Sequence, residues 1–169
     1  VVHCALGWAC WKTYVGRPEE DHARRMAMNL LGLGLHDAGR REDALTVQEA
    51  ELSMQRRIGA SEHNVLITQS NLANTYHDLG RNEEALQMRR DAYSGTLKIH
   101  GKENEGTILE ANNYADTFIN LERFEEAKTL LRKWMPLARR VLGEWHQTTL
   151  LVRSNYARAL YKATGATLD

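Results

Sequence analysis

Histidine is followed by aspartate twice in this chain, at His36-Asp37 and again at His77-Asp78, an adjacency that could serve a metal site. Metal binding needs ligands that converge, as His-x3-His or His-Glu-x-x-His do on one helix face. Neither spacing occurs among the seven histidines, so no metal ion is expected. Cys4 and Cys10 lie six apart on one apparent helix and point to different faces, which suits neither a local disulfide nor a Cys-x-x-Cys site. Reduced thiols and a cytoplasmic setting are the reading that follows. A Gly-rich phosphate loop, a Gly-x-Ser-x-Gly elbow and a Cys/His nucleophile pair are all missing from the sequence. No catalytic residue is therefore assigned, no cofactor is expected, and the chain is not read as an enzyme.

Arginine pairs at Arg24-Arg25, Arg40-Arg41, Arg56-Arg57, Arg89-Arg90 and Arg139-Arg140 raise the question of nucleic acid. Lys+Arg and Asp+Glu both number 22, so no net field draws a polyanion or an anionic membrane, and solvated helix faces account for the pairs. The first residues, Val-Val-His-Cys, show no initiator Met and no basic leader before an apolar core, so no signal peptide is read, and the chain looks cut from a longer one. Of its 169 residues 43% are hydrophobic and 26% charged, an ordinary balance for a soluble globular protein. Only two prolines, Pro18 and Pro136, interrupt long runs of helix formers, and no strand-like alternation is present. The chain reads as all-α.

What organises these residues is repetition. Ser70-Asn71-Leu72-Ala73-Asn74-Thr75-Tyr76, followed by Gly80 and Glu83-Glu84-Ala85, returns as Asn112-Asn113-Tyr114-Ala115-Asp116-Thr117-Phe118 and Glu125-Glu126-Ala127. Gly59, Gly101 and Gly143 recur every 42 residues, and Asn71, Asn113 and Asn155 each follow 12 later. An earlier copy begins at Asn29-Leu30-Leu31-Gly32, and a later one at Ser154-Asn155-Tyr156-Ala157. Within a copy, Leu72, Ala73, Tyr76 and Leu79 follow three-and-four spacing along a first helix that Gly80 ends. Glu83-Glu84 then open a second helix where its dipole is positive. Ala85 and Ala92 supply small side chains for close helix approach. Asn104 is placed to cap the next first helix. Units of this length stack so that neighbours bury what no unit buries alone.

The pattern Asn-Leu/Tyr-Ala, an aromatic three residues on, Gly, Glu-Glu-Ala, then Leu-Gly and His resembles tetratricopeptide repeats, specifically the longer kinesin light chain and nephrocystin type. It is carried here by Asn71-Leu72-Ala73, Tyr76, Gly80, Glu83-Glu84-Ala85, by Asn113-Tyr114-Ala115, Phe118, Glu125-Glu126-Ala127, and by Val141-Leu142-Gly143 with His146. The resemblance spans about residues 26 to 162 and implies a right-handed superhelical solenoid of antiparallel helix pairs. Eight helices are expected in one array: 1–16 a partial repeat holding only a second helix, 20–59, 62–101 and 104–143 three full repeats, and 146–169 a partial fourth.

Three departures stand out. One residue is missing between Ala44 and Gly59, which blurs the register there by one position. Glu122 replaces the turn glycine, and Trp134 replaces the small residue matching Ala92. Pro136 falls inside the second helix of that copy and should bend or break it near Trp134 to Pro136.

The resemblance also implies that first helices line a concave groove and that their non-core residues meet ligand. Those residues are Asn29, Leu33, His36 and Asp37; Asn74, His77 and Asp78; Asn112, Asp116 and Asn120; and Arg158, Tyr161 and Lys162. Asparagine suits an extended peptide because one side chain donates to a backbone C=O and accepts from an N–H. The alternative is that some of these asparagines bridge adjacent helices, a role that Asn71, Asn113 and Asn155 share equally with ligand contact. Asp37, Asp78 and Asp116 make the start of the groove acidic, whereas Arg158 and Lys162 make its end basic. That polarity argues against the acidic cargo peptides of kinesin light chains, and no Lys and Asn lie one turn apart as a carboxylate clamp needs. The expected function is a non-enzymatic scaffold that grips a partner protein or peptide. The alternative is a structural or oligomerising segment that stacks through its terminal helices, on which Trp8, Trp11 and Tyr14 lie.

Overall fold

The structure is a computed structural model and describes residues 2–164. Eight α-helices and no strand are found among them: α1 (Val2–Tyr14), α2 (His22–Asp37), α3 (Arg41–Arg57), α4 (Glu62–Asp78), α5 (Asn82–His100), α6 (Glu105–Asn120), α7 (Phe124–Leu142) and α8 (Gln147–Ala163). The chain divides into two compact units, one up to Met88 and the other from Arg89 onward, so that α5 contributes its first turns to one and the remainder to the other.

Local chemistry sets the helix ends. Asp21 accepts from the backbone N–H of Ala23 at 2.7 Å and Arg24 at 3.2 Å, and Asn104 caps α6 through Thr107 N–H at 3.3 Å, as its sequence position suggests. At the turn within each pair, Gly39, Gly80 and Glu122 adopt φ of 75°, 73° and 58°. The next residue's N–H then reaches back to a carbonyl five positions earlier, from Arg40 to Leu35, Arg81 to Tyr76 and Arg123 to Phe118. The same three arginines bond an acid in the first turn of the following helix, Asp43, Glu84 and Glu126. Arg81 and Arg123 also lie over the rings of Tyr76 and Phe118, at 4.6 and 4.8 Å. The second and third turns are thus clipped from three sides and the first from two.

In the first unit, Leu31, Leu35 and Ala44 form a core with Cys4, Trp11 and Val47, while Leu45, Leu52, Leu72, Tyr76 and Ala85 form a second. Helix α1 approaches α2 closely because glycine stands at both contact points: a Cβ on Gly7 would lie 2.8 Å from the Leu30 carbonyl oxygen, and one on Gly34 would lie 2.6 Å from that of His3. In the second unit, Ile108, Ala111, Ala115, Leu131, Trp134, Ala138 and Val152 close the core. Tyr93 stacks on Tyr114 and meets Trp134 edge-on, with centroids 5.8 and 5.9 Å apart.

Helix α7 does not break. It runs unbroken from Phe124 to Leu142 across Pro136. Pro136 faces solvent, whereas Leu131, Trp134 and Ala138 on either side are buried, so packing keeps the helix continuous despite the lost backbone bond. The structure also settles the blurred register. Seven residues after Ala44, Ala85 and Ala127 stand Glu51, Ala92 and Trp134, and all three are buried. A glutamate therefore occupies a position where the repeat otherwise buries an apolar side chain.

Candidate partner-binding face

Positions i, i+4, i+7 and i+11 share one side of a helix. On the side of the first helices turned from their paired second helices, this series reads Met26, Leu30, Leu33, Asp37 on α2 and Ile67, Asn71, Asn74, Asp78 on α4 in the first unit. In the second unit it reads Leu109, Asn113, Asp116, Asn120 on α6 and Leu151, Asn155, Arg158, Lys162 on α8. The first member is apolar in all four. Met26, Ile67 and Leu151 are 47%, 43% and 41% exposed, too open to be core, and Leu33 and Leu30 are exposed as well. Sequence reasoning overlooked this row because an apolar residue on an amphipathic helix reads as core by default. Its recurrence one turn ahead of Leu30, Asn71, Asn113 and Asn155 was the available signal.

Several expected groove residues lie elsewhere. Asn112 is buried, and its Oδ1 accepts from Nδ2 of Asn155 at 3.0 Å. It joins α6 to α8 and presents no face to a ligand; Asn113, the next residue, holds the outward position. Asn29 is half-buried, with Nδ2 donating to Glu51 Oε1 at 3.4 Å. His77 turns to Asn82 Oδ1 at 3.3 Å across the hairpin corner. His36 Nε2 stands 3.1 Å from Asp78 Oδ2, off the hydrogen-bond line.

The expected acidic stretch is largely neutralised. Asp78 also takes Arg41 Nε at 3.2 Å, Asp37 pairs with His3 at 3.1 Å, and Asp116 accepts from both Arg158 and Asn120. Within the second unit, Arg158 is spent on Asp116, which leaves Lys162 exposed and Tyr161 half-buried on the last turns of α8. Asn74 is exposed on α4, and Asn120 is half-buried. Many of the paired arginines likewise meet acids: Arg57 with Glu19, Arg139 with Glu144, Arg140 with Glu103, and the buried Arg89 at 3.7 Å from Glu110. Among the described residues, no group of three or more His, Cys, Asp or Glu could hold a metal ion, and no helix is long and apolar enough to cross a membrane.

Between helices runs a polar layer that periodicity did not reveal. Thr75 Oγ1 donates to Gln48 Oε1 at 2.7 Å, Gln55 Nε2 to Thr68 Oγ1 at 2.8 Å and to Glu51 Oε1 at 3.1 Å, and Tyr76 OH to Glu49 at 2.6 Å. Desolvation, with Glu49 beside it, pushes the Tyr76 hydroxyl up to about 12. Glu51 and Gln55 belong to the lining of a cavity of about 240 Å³ between α2, α3 and α4, which also takes in Met26, Asn29, Ile67 and Thr68. Burial is the chief cause that pushes the Glu51 carboxyl up to about 7, against the opposing pull of the polar groups of Asn29, Thr68 and Gln55.

Helix pairs with glycine-punctuated corners, small residues at the close contacts and outward first-helix faces define an α-helical repeat protein. Residues 23–98 match the family model described as Tetratricopeptide repeat. Among solved structures, a Podosopora anserina protein described as a kinesin light chain with nearly identical TPR-like repeats is similar at a TM-score of 0.80 and 22% identity, covering 95% of this chain and 76% of its own. A variant with the same description gives 0.78 and 23%, covering 93% and 73%. BtubC (BKLC) from P. vanneervenii gives 0.67 and 17%, covering 99% and 73%. A search of curated protein sequences found no match. The tetratricopeptide match thus covers residues 23–98, and the described residues are all-α and TPR-like in fold. This fold commonly mediates protein–protein interaction.

Proposed function

We propose that the chain is a non-enzymatic scaffold that binds an extended or helical segment of a partner protein along the outward faces of its first helices. The observation that supports this most is the exposed apolar row, Met26 with Ile67 in one unit and Leu151 in the other, followed on each helix by polar side chains. Apolar anchors bordered by adaptable polar groups are what helix-in-groove and extended-peptide recognition use. A fold that is generally non-enzymatic and free cysteines at Cys4 and Cys10 fit a cytoplasmic adaptor. Panning a random peptide library on the chain should yield binders whose backbone-amide shift perturbations fall on α2 and α4, or on α6 and α8. Perturbations confined to α3, α5 and α7 would overturn the reading.

Exposed Leu6 and Trp8 on α1, at 59% and 40%, favour a second reading in which α1 packs on another copy of the chain. Sedimentation equilibrium would then show a mass that rises with concentration and falls on Trp8→Ser. A constant monomer mass removes this reading.

A further inference from the structure

Two buried acceptors in the cavity between α2, α3 and α4 have no hydrogen-bond donor. Glu51 is 2% exposed and Gln55 4%, yet Glu51 Oε2 and Gln55 Oε1 are both buried with no hydrogen-bond partner. Gln55 Nε2 serves Thr68 and Glu51 Oε1, Asn29 Nδ2 serves Glu51 Oε1, and no other side chain of the lining, Asn64, His22 and Arg25 included, bonds either orphaned oxygen. Two orphaned acceptors, one of them a carboxylate oxygen, line the same space. Leaving such groups unmatched is costly, and the cost is removed by a guest that brings several donors together with a positive charge. At the mouth, exposed Met26 and Ile67 offer apolar surface to an aliphatic stem. His22 and Arg25 also line the cavity, and Arg25 donates to the carbonyl of Glu20 in the loop before α2.

We infer that this cavity is a side-chain pocket of the partner-binding face, that it takes the ammonium or guanidinium of a basic side chain, and that Glu51 receives the charge. This rests on the partner-segment reading above. The stem crosses Met26 and Ile67, and the cationic head supplies donors to Glu51 Oε2 and Gln55 Oε1. The pocket thus selects for a basic residue at one position of the bound segment. Nothing in the repeat pattern itself calls for this, because the equivalent positions in the later copies are Ala92 and Trp134.

The test uses n-butylammonium chloride, a lysine side chain without its backbone, with tetramethylammonium chloride as a cation that has no donors. Titrated against the side-chain amide resonances of Asn29 and Gln55, n-butylammonium should give a saturable shift that tetramethylammonium does not, and Glu51→Gln should weaken it at least tenfold. No saturable shift, or equal shifts with both salts, overturns the pocket, as does an unchanged titration with Glu51→Gln. A second arm separates a free cation from a peptide. A basic residue shared by library binders should cost tenfold or more in affinity when replaced by norleucine on the wild-type chain and little on Glu51→Gln. Binders that map to α2 and α4 but share no basic residue contradict the pocket and leave the partner-segment reading standing.

Discussion

Glu122 and Glu51 show how much a single side chain departs here from what its repeat position asks. Glu122 sits at φ 58° where the two preceding pairs have glycine, a conformation that costs an L-residue roughly 1–2 kcal/mol. Glu122→Gly should raise stability by about 0.5–1 kcal/mol once the added freedom of the unfolded chain is set against that cost. Urea denaturation would check it, and a lower midpoint would contradict it. For Glu51 the sign follows from its raised carboxyl. Below the ordinary value of 4.5 both states are protonated, whereas between 4.5 and about 7 the folded chain keeps a proton that the unfolded chain sheds. Stability should therefore fall as pH rises through that window, by about 3 kcal/mol at the order-of-magnitude level, and then level off. Glu51→Gln should flatten this component, with His22 and Arg25 of the same cavity left in place. Urea midpoints of both proteins at pH 5 and pH 8 would show whether the gap opens at the higher pH, and a constant gap would contradict it.

At the scale of elements, helix α7 combines a proline in its interior with the most heavily buried indole in the chain. If packing around Trp134 keeps the helix continuous through Pro136, then Pro136→Ala should stabilise the second unit by about 2 kcal/mol. A thermal melt that falls would mean that Pro136 has a structural part of its own. The helices themselves were legible because period, glycine corners and caps agree: Gly80, Glu83-Glu84 and Asn104 all do what their positions announce. The proposed binding face was legible only in part. Helical spacing named Asn74, Asp78, Asp116 and Arg158, but not which neighbour of Asn112 and Asn113 faces out, since 100° between adjacent residues decides burial and only the packing of α6 on α8 fixes the rotation. Charge was the least legible property. Asp116 and Arg158 lie 42 residues apart, so the bond between them exists only once the repeats stack.

For the molecule as a whole, stacking turns one repeated phrase into two kinds of surface. Leu72, Ala73 and Tyr76 disappear into the core, while the positions flanking them line up from one first helix to the next within each unit. Ion pairs across the proposed face leave exposed apolar side chains and neutral amides as its most available groups, with the buried carboxyl of Glu51 beneath it in the first unit. The most direct measurement is the affinity of a library-selected peptide for the wild-type chain and for the double variant Ile67→Ser with Asn74→Ala. Both residues are exposed, so the variant should melt within a few degrees of wild type and bind at least tenfold more weakly. Unchanged affinity in a variant that folds normally would contradict binding along the first helices.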